Sequence, residues 1–76
     1  MNSKIKGLES AISIAVKAQR IRKYTDLRMQ IGSQTKVAKL LEVRRETLSR
    51  RESGDSTISK EAMLAMEHLW VYDRGK

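Results

Sequence analysis

The sequence predicts an all-α fold, and three observations predict it. Apolar residues recur at helical spacing in several separate stretches, the mark of one buried helix face. Proline is absent, so no ring clash interrupts a helix. Serines stand where helices should start (Ser33, Ser59) and glycines where they should stop (Gly32, Gly54). No strand, internal repeat or low-complexity tract stands out.

The first helix is predicted over about residues 8–24. Leu8, Ala11, Ile12, Ala15 and Val16 fall at helical spacing, joined by Ile14, Ala18 and Ile21. That apolar surface is broader than the stripe of an ordinary surface helix. Two readings fit it equally: contact with a second subunit, or one well-buried helix. Thr25-Asp26-Leu27-Arg28 can restart or bend the chain, with Thr25 as a cap. Ile31-Gly32-Ser33 then breaks it, and Ser33 caps a helix opening at Gln34.

In that helix Val37, Ala38 and Leu41 share one face and belong to the core. Glu42-Val43-Arg44 forms a turn with Val43 pointing inward. Another helix runs from about Arg45 to Glu52, and Gly54 stops it in the left-handed conformation that glycine reaches cheaply. Ser59 caps a last helix over about residues 60–70, with Glu61 placed against the helix dipole. There Ile58, Ala62, Ala65, Met66 and Leu69 recur at helical spacing, before an apolar Trp70-Val71-Tyr72 end.

Seventy-six residues predict one domain over 1–76, with no room for a separate ligand-sensing domain. A hydrophobic fraction of 39%, without phenylalanine, builds only a marginal core in a monomer. The net charge is +7 and unevenly placed: +5 over residues 1–33, +3 over 34–54 and −1 over 55–76. Such a balance suits a polyanionic partner or a solvated basic surface about equally. Cysteine is absent, which removes disulfides and thiolate metal sites and fits a cytoplasmic protein. No apolar run approaches the roughly 20 residues of a membrane span, and the start lacks the apolar block of a signal peptide. The single histidine, His68, sits beside Glu67 without a cysteine, phosphate loop or carboxylate pair to work with. An enzyme is therefore not expected, nor a cofactor or metal.

The stretch from Gln34 to Gly54 decides between the readings of the charge. A short helix, a tight turn and a second helix with a polar, basic outward face is the layout of a helix-turn-helix. The pattern resembles the Cro/phage-repressor (XRE) family in Gln34, Val37-Ala38, Val43 and Glu52-Ser53-Gly54. The resemblance covers residues 34–54 well and would extend from about Arg20 to Leu69. It implies a small bundle of roughly four or five helices of the lambda-repressor-like type. It also implies duplex DNA as partner and a role as a small transcriptional regulator, here read as a dimeric repressor. The family also includes antitoxin-like modules that neutralise a protein partner and bind their own promoter. RNA is a weaker candidate, because stacking aromatics are scarce.

On the helix from Arg45 to Glu52, Arg45, Glu46, Ser49 and Arg50 share one side, and Thr47, Leu48 and Arg51 the other. Arginine can pair two donors with guanine, and a carboxylate can accept from cytosine. Arg45, Glu46 and Arg50 are the predicted base contacts, at positions the resemblance also assigns to bases, with Ser49 on a base or the backbone. Gln34, Thr35 and Lys36 open the preceding helix, whose free N–H groups suit a phosphate. The resemblance assigns Gln34 that role, and Arg44 and Arg51 complete the predicted phosphate contacts. It further implies an ion pair between Arg28 and Glu52, although Arg28 stands one residue nearer Gln34 than is usual. Glu42 stands where glycine is common, and Arg44 replaces the usual Ser or Thr cap. Ile12, Val16, Leu69, Trp70, Val71 and Tyr72 are the candidate pairing surface.

Overall fold

A computed structural model describes residues 3–75, with side chains from residue 11 onward. Four helices follow in order: α1 (Ser3–Ile31), α2 (Gln34–Leu41), α3 (Arg45–Ser53) and α4 (Lys60–Arg74). No strand occurs among the described residues.

The first helix corrects the expectation of a break at Thr25. It runs unbroken past residue 24 to Ile31. A threonine competes as a cap only where the chain can turn away, and no glycine or proline permits that between Leu8 and Ile31. Tyr24 and Leu27, on either side of Thr25, are both buried and hold this part of the helix against the rest. Gly32 ends α1, its N–H donating to the Arg28 carbonyl at 2.9 Å. The Ser33 side chain then accepts from the Lys36 N–H at 3.1 Å and starts α2. Ser59 does the same for α4 through the Ala62 N–H at 3.1 Å.

One core joins all four helices. Tyr24, Leu27 and Ile31 come from α1, Val37 and Ala38 from α2, and Leu48 from α3. Ile58 from the preceding loop and Ala62, Met63 and Met66 from α4 complete it. Burying a side chain such as Leu48 contributes about 1.5–3 kcal/mol. Leu41, Val43, Leu69 and Trp70 are half-buried around it. In α4 the sequence reading misplaced one residue: Ala65, expected at the buried face, is exposed, while Met63 and Met66 are buried. Ala65 lies at the margin of that face. The helix also continues beyond residue 70 to Arg74, where the Arg74 guanidinium lies over the Trp70 ring.

The amino-terminal half of α1 stands apart from this core. Every residue from Ala11 to Arg20 is exposed, although six of the first eight are Ala, Ile or Val. The reading of a well-buried helix therefore fails within a single chain. The side chain of Leu8, the first of that apolar set, lies outside the described residues.

Candidate nucleic-acid interface

The geometry of the site starts from what clamps α3 to α1. Arg28 lies in the last turn of α1, and its guanidinium grips Glu52 near the end of α3. Nε donates to Oε2 at 2.8 Å and Nη2 to Oε1 at 2.7 Å. Their side chains are only 15% and 9% exposed, so this pair is not a loose surface contact. The remaining Arg28 donor, Nη1, reaches the Gly32 carbonyl at 3.2 Å. The guanidinium pKa is raised, chiefly by hydrogen bonding to Glu52. Burial opposes that rise, and the Glu52 charge reinforces it. The Gln34 amide donates to the same carboxylate at 3.3 Å, which ties the start of α2 to the end of α3.

Arg51 forms the second clamp. Its Nη1 donates to the buried Tyr24 hydroxyl at 2.8 Å, and its guanidinium lies 5.8 Å from the centre of that ring. Leu48 is fully buried between the two clamps, which fixes the rotation of α3 about its axis. The opposite side of the helix therefore faces outward. There Arg45, Glu46 and Arg50 are exposed and Ser49 half-buried. The ion pairs among the described residues, Lys23–Glu67 and Arg28–Glu52, engage none of them.

The loops on either side of α3 are built to match. Glu42 ends α2 in the left-handed region at φ 60°, and Val43 donates back to the Ala38 carbonyl at 2.9 Å. Arg44 occupies the N-cap of α3 in extended backbone and supplies no side-chain cap. Gly54 closes α3 at φ 88°, a conformation in which any Cβ is strained.

Against protein-family models, residues 26–69 match the one described as Helix-turn-helix, HTH_3. The chain belongs to the Cro/C1-type helix-turn-helix (XRE) family. No curated protein and no solved structure matches it. As a member of the XRE family the chain carries a DNA-binding domain of the transcription-regulator type.

The structure distributes the residues proposed for this XRE interface unevenly. Arg44, Arg45, Glu46 and Arg50 lie exposed together on α3 and at its start. Thr35 is exposed at the start of α2. Three others are engaged within the chain: Gln34 with Glu52, Arg51 with Tyr24, and Lys36 with the Ile31 carbonyl at 3.2 Å. Lys36 folds across Gly32, where an added Cβ would come within 2.7 Å of its Cδ. Sequence reasoning missed Tyr24 as the seat of Arg51. Its spacing with Leu27 and Ile31 marks it as core, but nothing local announces a partner on another helix. Gln30 was missed in the same way, accepting from the Trp70 indole at 2.9 Å. Among the described residues no His, Cys, Asp or Glu group could hold a metal, and no helix is long and apolar enough to cross a membrane.

Proposed function

We propose that this chain is a sequence-specific transcriptional repressor that binds duplex DNA as a dimer, with α3 in the major groove. The observation that carries it is the sorting of charged groups on α3. The inward residues Arg51 and Glu52 are committed to α1, whereas Arg45, Glu46 and Arg50 face out and form no ion pair among the described residues. Arg45 and Glu46 lie on the first turn, the part of such a helix that reaches base edges. Arg50 follows about one turn later on the same side. Arginine donors pair with guanine O6 and N7, and a glutamate accepts from cytosine N4. Ser49 contacts a base or the backbone beside them.

Phosphates are held around this face by the start of α2 and by Arg44. Gln34 reaches a phosphate only as a second partner, since its amide also serves Glu52. Thr35 and Arg44 are unencumbered, whereas Lys36 and Arg51 must leave an intrachain contact to join them.

Selection of bound duplexes from a random library at near-physiological salt tests the reading. An enriched two-fold symmetric site, with half-sites about one helical turn apart, is expected. Salt-sensitive binding to every duplex without enrichment would remove the base-reading role. It would turn attention to an antitoxin-like function with a protein partner.

A further inference from the structure

The geometry points to the amino-terminal half of α1 as the surface that pairs two copies of this chain. An antiparallel match centred near Ile14 would bury Ile12 and Val16 of each copy against α1 and α4 of the other. This rests on the dimeric DNA-binding reading above and assigns its interface.

The first support is surface area. The chain exposes 5787 Å². A folded monomer of 8.7 kDa exposes about 4700 Å² by the usual scaling. The excess, roughly 1000 Å², is close to the ~800 Å² per partner that a standard interface buries. The molecule is elongated as well. The radius of gyration is 14.7 Å, against about 11–12 Å for a compact domain of this length. The run from Ala11 to Arg20, exposed throughout, belongs to a helix of 29 residues, about 44 Å long.

The second support is the character of that run. Ile12 is 62% exposed, Ile14 69% and Val16 41%. Lys17 is the only charge between Ala11 and Gln19. The stretch from Ala11 to Gln19 is thus charge-poor in a basic protein, and two copies can approach there with little like-charge cost. A helix this apolar around its circumference gains little from water and needs packing to be stable. Two grooves flank the Val16 and Arg20 ridge. One is floored by Ile58, and the other lies against Met63 and the half-exposed Leu64 of α4. In the antiparallel match, Ile12 of one copy meets Val16 of the other.

The third support is spacing. The α1 segment that carries α3 is centred near Asp26, between the Tyr24–Arg51 and Arg28–Glu52 contacts. It lies about twelve residues from Ile14, or about 18 Å along the helix. Two-fold pairing at Ile14 therefore sets the two recognition units about 36 Å apart. That is the spacing of half-sites one turn of duplex apart, about 34–36 Å. No such match follows from pairing through the exposed Val71 and Tyr72 at the other end of the molecule.

Sedimentation equilibrium of the full chain without DNA is the test, with the double variants I12E/V16E and V71E/Y72E alongside. The wild type is expected to be a dimer. In I12E/V16E, self-association should weaken at least a hundredfold, while thermal unfolding of the core persists. Binding of that variant to an isolated half-site should stay within about threefold of wild type. V71E/Y72E should remain a dimer. A wild type that is monomeric at tens of micromolar, or a dimer insensitive to I12E/V16E, overturns the assignment. In either case half-site selection still reports on DNA reading separately. A dimer broken by I12E/V16E but with no preferred sequence would uphold the pairing and sink the DNA reading instead.

Discussion

Replacing Arg28 by Ala should be among the most damaging single changes available on this surface. At about 4 Å and an effective dielectric of 20, a unit ion pair is worth about 4 kcal/mol before desolvation. Desolvation offsets much of that, so the intact pair adds modestly to stability. Removing one partner is different. Glu52, 9% exposed in the intact pair, would be left with the Gln34 amide as its remaining hydrogen-bond donor. Breaking a pair in this way costs about 3–5 kcal/mol.

A chain of this length has about 4–11 kcal/mol in total, so the change consumes a large share of it. Each kcal/mol moves the melting temperature of so small a domain by about 4–8 °C. Arg28→Ala should therefore melt at least about 12 °C lower. Glu52→Ala should be milder, because Arg28 retains the Gly32 carbonyl at 3.2 Å and is the more exposed partner. The double variant Arg28→Met with Glu52→Leu should recover part of the loss, since no unpaired charge remains.

Urea unfolding followed by far-ultraviolet circular dichroism measures all of these, provided the denaturant slope stays constant. Arg28→Ala within about 0.5 kcal/mol of wild type, or strictly additive single changes, would refute the reasoning. The sign of the pH dependence is also fixed. The Arg28 pKa is raised by folding, chiefly through hydrogen bonding to Glu52. Its contribution is thus full below the ordinary arginine pKa and is lost only on passing through the still higher folded value. This arginine should cause no loss of stability between acid and neutral pH.

Three further outcomes are expected. Arg50→Ala should cost about 1–3 kcal/mol on the preferred site and relax selectivity at one base pair, read by competition among single-base variants of the duplex; equal loss on every sequence would reassign Arg50 to a phosphate. Arg44→Ala should weaken all duplexes alike and reduce the slope of log affinity against log salt by about 1; an unchanged slope removes Arg44 from the phosphate set. Glu42→Gly should raise stability by about 0.5–1 kcal/mol, because the left-handed conformation at φ 60° is strained for glutamate and free for glycine; an unaltered urea midpoint would mean that Glu42 makes good the strain.

Much of the DNA-binding unit was legible because its helices are short and carry one buried face. Val37, Ala38 and Leu48 could be read from spacing alone, and Ser33, Ser59 and Gly54 mark helix ends by local chemistry that tertiary structure did not override. The errors have one physical origin. Thr25 has the local preference of a cap, but docking of Tyr24 and Leu27 on the same face keeps α1 continuous. Ala65 shares the helical spacing of the buried Ala62 and Met66, yet it lies at the margin of that face and stays exposed. The unusual spacing of Arg28 is absorbed by that same continuity, which puts it in the last turn of α1, within 2.7 Å of Glu52. The partners of Arg51 and Trp70 lie on other helices, and no local pattern encodes such pairs.

The arginines show why charge alone could not have located the interface. Arg28, Arg44, Arg45, Arg50 and Arg51 contribute equally to the net charge, yet the fold engages two of them internally and leaves three exposed. Arg28 and Arg51 hold one side of α3 to α1, so their loss should appear first in stability. Arg44, Arg45 and Arg50 lie outside these clamps, so their loss should appear first in binding. The clamps also bear on the proposed base reading. A recognition helix that rolled about its axis would move Arg45 and Arg50 away from the base edges proposed for them, and the two clamps with Leu48 between them oppose that roll. A change at Arg51 that leaves the chain folded should therefore blur base selectivity without the arginine touching a base. Tyr24→Phe, which removes the hydroxyl that accepts from Arg51 and keeps the buried ring, isolates that effect. Lower selectivity at an unchanged salt slope would trace it to the orientation of α3, whereas a changed slope would place Arg51 on a phosphate.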